Sequence, residues 1–157
     1  MARITRLATV ALMTGASIFA LGAQSASADT AIGRCDPPIG QDAAVRTCVY
    51  MDFDNNHARS RAGAYDVAGG TNFDVDVTIV KIEVNINGTW VNADSGTRVE
   101  VGYQDATDTL VGSSETCTGV GRTEKVRAAA RFRWRNPAGT EVYQWMHTDA
   151  RTIGCTS

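Results

Sequence analysis

Apolar and polar residues alternate with a period of two through most of the chain, and no other feature restricts the fold as tightly. Successive side chains of a β-strand point to opposite faces, so this period with one apolar side describes a strand lying on a core. Val45, Thr47, Val49, Met51 and Phe53 form one such face. A weaker second strand spans 62–67, with Tyr65 and Val67 expected to face the core. Residues 73–86 form a long strand with a change of phase. Phe73, Val75, Val77 and Ile79 occupy odd positions, whereas Val80, Ile82, Val84 and Ile86 occupy even ones. A strand changes phase only at a bulge, a bend or a change of sheet, so one of these is predicted near Val80. Val99, Val101 and Tyr103 suggest a further strand, and residues 104–121, rich in Asp, Thr, Ser and Gly, read as a long loop. No run repeats its apolar residues at helical spacing. Turn compositions at 69–72, 87–88, 94–96 and 136–139 punctuate the strands.

Two hairpins carry most of the register information. Asn87-Gly88 is a strong hairpin signal. A two-residue turn would pair Ile86 with Thr89 and point Trp90 away from the core. A loop one residue longer would turn Trp90 inward, removing ~150–250 Å² from water, and that register is the one expected here. The second hairpin joins VRAAARFRWR (126–135) to residues 140–147 through Asn136-Pro137-Ala138-Gly139. Val126, Ala128, Ala130, Phe132 and Trp134 form its apolar face. If Arg135 opposes Thr140, Phe132 opposes Tyr143 and Ala130 opposes Trp145, which places both of those aromatics in the core.

The same register brings Cys117 close to Cys155 at the open end of the hairpin, and Cys35–Cys48 follows by elimination. Four cysteines in an exported chain fit two disulfides, each closure contributing ~2–4 kcal/mol in the chain-entropy view. Their spacing suits no zinc site. Export is read from the first 28 residues: Arg3 and Arg6, then the apolar LATVALMTGASIFALGA, then Ala26-Ser27-Ala28, the order of a cleaved secretory signal. Residues 29–157 are then a single disulfide-stapled domain. The expected fold is an antiparallel β-sandwich of Ig-like or jelly-roll type, with a small β-barrel as the alternative. In composition and cysteine layout the chain is similar to small exported bacterial proteins, a likeness of style that transfers no functional residue.

Functional signals are sparse. The part after residue 28 carries 15 − 2 = 13 basic side chains against 17 acidic ones, net −4, with the basic excess confined to residues 122–157. Arg127, Arg131, Arg133 and Arg135 share one strand face, repeating every ~6.6 Å, and arginine offers planar, bidentate contacts to anionic groups. They are the candidate ligand-binding residues, for an anionic polysaccharide or cell-surface polymer. With the aromatics turned to the opposite face, specific nucleic-acid binding is not expected. Asp52, Asp54, Asp74 or Asp76 could instead neutralise the row across the sheet. DFDNNH (52–57) opens like a calcium loop, but His57 stands where glycine is required. Asp74 and Asp76 lie too close on one strand to straddle a glycosidic bond. No nucleophile-elbow, cofactor or second membrane-spanning motif occurs. The expected role is therefore a secreted, non-enzymatic binding protein. The alternatives are an inhibitor of a secreted protease or amylase, presenting loops 54–61 and 104–116 with Arg59 or Arg61 as the specificity residue, and a small hydrolase built on His57 or His147.

Overall fold

A computed structural model describes residues 30–36, 44–68, 73–93, 97–99 and 102–156. The leader at 1–28 and the turns expected at 69–72 and 94–96 lie outside the described residues. Ten strands follow in chain order: β1 Thr30–Asp36, β2 Val45–Phe53, β3 His57–Asp66, β4 Asp74–Ile86, β5 Thr89–Asn92, β6 Arg98–Val99, β7 Thr107–Thr116, β8 Thr123–Arg135, β9 Glu141–His147 and β10 Arg151–Gly154. They form two antiparallel sheets. One has the order β1-β2-β3-β7. In the other, β8 is flanked by β4 on one side and by β9 and β10 on the other, and β5 and β6 pair with β4. The fold is the expected two-sheet sandwich, stapled by Cys35–Cys48 and Cys117–Cys155.

The core lies between the sheets. β8 contributes Val126, Ala128, Ala130, Phe132 and Trp134, and β2 contributes Val45, Val49 and Met51, as the alternation requires. The change of phase in β4 is a register shift between Val77 and Ile79, two residues before the expected place. Val75 and Val77 before it, and Val80 and Ile82 after it, are all fully buried. Two backbone groups at the shift have side-chain partners. The Val77 N–H donates to the Asp108 carboxylate, and the Thr78 hydroxyl donates to the Arg131 carbonyl at 3.0 Å. Ile79, expected inside, moves to the outer face opposite Arg131.

Sheet A, the four-stranded one, differs from expectation in three ways. β3 turns Ala58, Ser60, Ala62 and Ala64 to the core, while Tyr65 is only half-buried and Val67 is exposed. Small residues suffice on this strand because the facing sheet supplies bulky ones such as Phe132 and Trp134. Residues 107–116 form a strand paired to β3, not a loop. Leu110 is its one buried large side chain, so no alternation marked it. The expected exposed loop at 54–61 is a tight connection followed by β3. The Asp54 carboxylate accepts from the backbone N–H groups of Asn56 and His57 at 3.2 and 3.0 Å. β1, which carries little apolar pattern, is held by its pairing to β2, with Cys35 directly opposite Cys48. The second disulfide does more than close the base of a hairpin. It joins the end of β7 in one sheet to the residue after β10 in the other.

Candidate binding face on the six-stranded sheet

Both hairpin registers differ from expectation by one residue, and both differences move aromatic rings outward. Between β4 and β5, Ile86 opposes Thr89 across a two-residue turn. Asn87 and Gly88 have φ of 52° and 88°, the paired positive values of a type I′ turn, whose twist suits the strands it joins. Trp90 therefore lies on the outer face of the sheet. Between β8 and β9, Arg135 opposes Glu141, not Thr140. Pro137 and Ala138 make the turn, Gly139 takes φ 82°, and the Asn136 N–H donates to the Thr140 carbonyl at 3.0 Å. This is the three-residue loop with a glycine bulge.

A slip of one residue exchanges the two faces of a strand. Val142, Gln144 and Met146 thus face inward. The Thr47 hydroxyl donates to Gln144 Oε1 at 3.0 Å, and Gln144 Nε2 donates to Asp36 at 2.8 Å, so this glutamine ties the sheets together at the sandwich edge. Tyr143 and Trp145 stand on the outer face, 49% and 46% exposed.

The outer face is therefore built in stripes. β9 supplies Glu141, Tyr143, Trp145 and His147; β8 supplies the arginines; β4 supplies Asp74, Asp76, Ile79, Lys81 and Glu83. The expected neutralisation occurs, and the partners come from β4. Arg135 pairs with Asp74 and Arg133 with Asp76, while Arg127 Nη2 lies 2.7 Å from Glu83. Asp52 is on the other sheet, where Arg61 holds it in two hydrogen bonds of 3.0 and 3.2 Å. Asp54 is occupied by its own turn. Lys81 reaches Glu83 at 2.9 Å and Asn92 at 2.6 Å.

Each arginine also lies against a ring. Arg127 is 4.2 Å from the Trp90 centroid, and Arg131 is 4.8 Å from that of Tyr143. Arg133 and Arg135 flank Tyr103 at 4.2 and 4.6 Å. Lys81 lies 5.2 Å from Trp145, which stacks on His147 with centroids 6.5 Å apart. Tyr103 reaches this face from the segment before β7, where Gln104 forms a bridge with Val75. Its hydroxyl donates to Glu141 at 2.6 Å, and Tyr143 donates to the same carboxylate at 2.8 Å.

Protonation follows from these contacts. Burial together with the bond to Glu141 pushes the Tyr103 phenol up to about 12. Glu141 is held below the usual carboxylate range by those two phenol bonds. Burial tends to raise the Glu83 carboxyl, but hydrogen bonds from Lys81 and Arg127 outweigh it and the group is lowered. Burial, and then the positive charge of Arg127, lowers His147 against the pull of Glu83 3.7 Å away. His147 is thus favoured in its neutral form, ready to stack or to hydrogen-bond.

From residue 127 to 135 of β8 the face carries Lys81 and four arginines against Asp74, Asp76, Glu83 and Glu141, five minus four, a net charge of +1. It is an amphipathic platform of rings fixed by charged neighbours, not a strongly positive surface. The residues expected for other roles lie elsewhere. His57 opens β3 in the opposite sheet and lines a shallow pocket of about 300 Å³ with Asp52, Phe53, Asp54 and Arg59. His147 belongs to this outer face. Asn56, the third residue of the calcium-like pattern, donates to the Thr156 hydroxyl at 2.6 Å. Among the described residues no helix is long and apolar enough to cross a membrane. The sequence matches no protein-family model, and no curated protein matches it.

Proposed function

We propose that the chain is an exported, non-enzymatic binding protein that holds an extended polysaccharide or related cell-surface polymer on the outer face of its six-stranded sheet. The observation that carries this reading is the β8–β9 register, which puts half-exposed Tyr143 and Trp145 beside the arginine row on one face of the sheet. Contiguous exposed aromatic surface rimmed by polar groups favours an interaction site. Sugar rings present apolar faces for stacking and hydroxyls for the surrounding charged side chains. The secretory pattern at 1–28 and the two disulfides support an extracellular setting.

The near-balance of charge argues against nucleic acid. Phosphate-dense ligands call for a clearly basic surface, and four carboxylates stand among the cations here. The inhibitor alternative loses its support, since most of 54–61 and 104–116 is strand, with β3 and β7 hydrogen-bonded to each other. Affinity electrophoresis through gels containing plant and bacterial polysaccharides tests the proposal. The wild-type protein is expected to be retarded in at least one of them, and a Tyr143→Ala/Trp145→Ala variant to run as in an empty gel. Equal migration of both proteins throughout the panel overturns the reading.

A further inference from the structure

The arginines of β8 are not equivalent. Arg135, Arg133 and Arg127 each oppose an acidic residue of β4, and each is paired with it. The register shift in β4 interrupts the acidic row between Asp76 and Glu83. It sets Ile79 opposite Arg131 on one side, and β9 sets Trp145 opposite it on the other. Among the described residues, Arg131 is the one outer-face arginine of β8 without a carboxylate partner. Lys81, the nearest cation along β4, already contacts Glu83 and Asn92.

Arg131 is nevertheless oriented. Its guanidinium lies over the Tyr143 ring at 4.8 Å, and its backbone carbonyl is held by Thr78. Stacking on a ring occupies a face of the guanidinium and leaves its in-plane N–H edge able to donate. That edge matches a carboxylate in bidentate geometry. An isoleucine and a tryptophan flank the site, and the neighbouring acids are engaged by their own arginines.

We propose that Arg131 reads a single carboxylate of an acidic polysaccharide, the uronate of a sugar unit, while Trp145 and Tyr143 stack against the ring faces of the chain. The ligand class is thus a polymer with carboxylates spaced along a sugar backbone. This inference rests on the glycan reading of the face, and its test separates the two. Binding is measured by affinity electrophoresis on polygalacturonate and on the same polymer fully methyl-esterified, which keeps the backbone and removes the charge. Double-stranded DNA forms a third arm. Hydrogen bonds to charged groups contribute enough to give about tenfold or more in affinity, so the wild type should prefer the free acid by that factor. Arg131→Gln should bind both polymers equally and weakly, with an unchanged circular dichroism spectrum and melting temperature, because no ion pair is lost. Arg46→Gln, on the exposed surface of the other sheet, should bind as the wild type does. Retention of the tenfold preference by Arg131→Gln overturns the role of Arg131 and leaves the glycan reading standing. Failure of the wild type to bind either polymer, with or without binding to DNA, overturns both.

Discussion

β8 has a different neighbour on each side, and the two sides treat the same arginines differently. Toward β4 they meet carboxylates: Asp74, Asp76 and Glu83. Toward β9 they meet Glu141 and then the two rings, Tyr143 and Trp145. The β4 side is internal to the sheet. There Asp76 is fully buried and Glu83 is 7% exposed, so the ion pairs are part of the architecture. Among the described residues β9 pairs with β8 alone, and its rings remain half in solvent. The difference teaches that an arginine row is not one functional unit. One side of it is tied into the sheet by ion pairs, and the other borders the half-exposed rings.

Breaking the β4 side should have the largest effect on stability. Asp76→Asn leaves the Arg133 guanidinium beside a buried neutral group, and removing one partner of a buried pair costs ~3–5 kcal/mol. Urea unfolding should show it as a lower midpoint with unchanged slope. Glu83→Gln should cost less, about 1.5–3 kcal/mol, because the Glu83 side chain keeps some solvent contact where Asp76 has none. It should also change the acid limb. The folded-state pKa of Glu83 lies below its ordinary value of 4.5, so its contribution is present above that value and is lost as pH falls through the lower, folded-state one. The variant should lack this part of the acid-induced loss.

His147 supplies a smaller effect with its own pH window. Its folded-state pKa lies below the ordinary 6.5, so the unfolded chain takes up the proton first as pH falls. Stability should be full above about 6.5 and decline below it, until pH has fallen through the lower, folded-state value. His147→Gln should flatten melting temperature across that window. The smallest effect on stability belongs to the β9 side. Trp145→Ala should alter the unfolding free energy by only about 0.5 kcal/mol, as half-exposed surface positions do, while abolishing retention by polysaccharide. A loss of several kcal/mol would mean that the ring packs as core and would undo the contrast between the two sides.

Much of this was legible in the sequence. The inner face of β8, the odd face of β2 and the phase change in β4 followed from period-two arithmetic; Cys117–Cys155 followed from the hairpin register, and Cys35–Cys48 by elimination. β7 was not legible, because TDTLVGSSET is polar throughout except for Leu110 and Val111, and its pairing to β3 is decided by the neighbouring strand. The outward placement of the rings was missed for one reason in two places. At Asn87-Gly88, the gain from burying Trp90 was set against a turn preference, and the turn prevailed. At Asn136–Thr140, the glycine that takes positive φ closes a three-residue loop in place of the expected four-residue one, so every side chain of β9 changes face. The signal was local, in Asn-Gly for a two-residue turn and Pro-Ala-Gly for a three-residue one. That Asp74, Asp76 and Glu83 would meet arginines depended on the long-range pairing of β4 with β8, and strand composition does not encode that pairing.

The most direct test of the central claim is a nuclear magnetic resonance titration of the isotope-labelled protein with a short oligogalacturonate. The account predicts that the shifted signals cluster at residues 131 and 143–147, with the indole N–H of Trp145 among the most affected. Shifts confined to the four-stranded sheet around residues 46–65, or none at millimolar oligosaccharide, would contradict it.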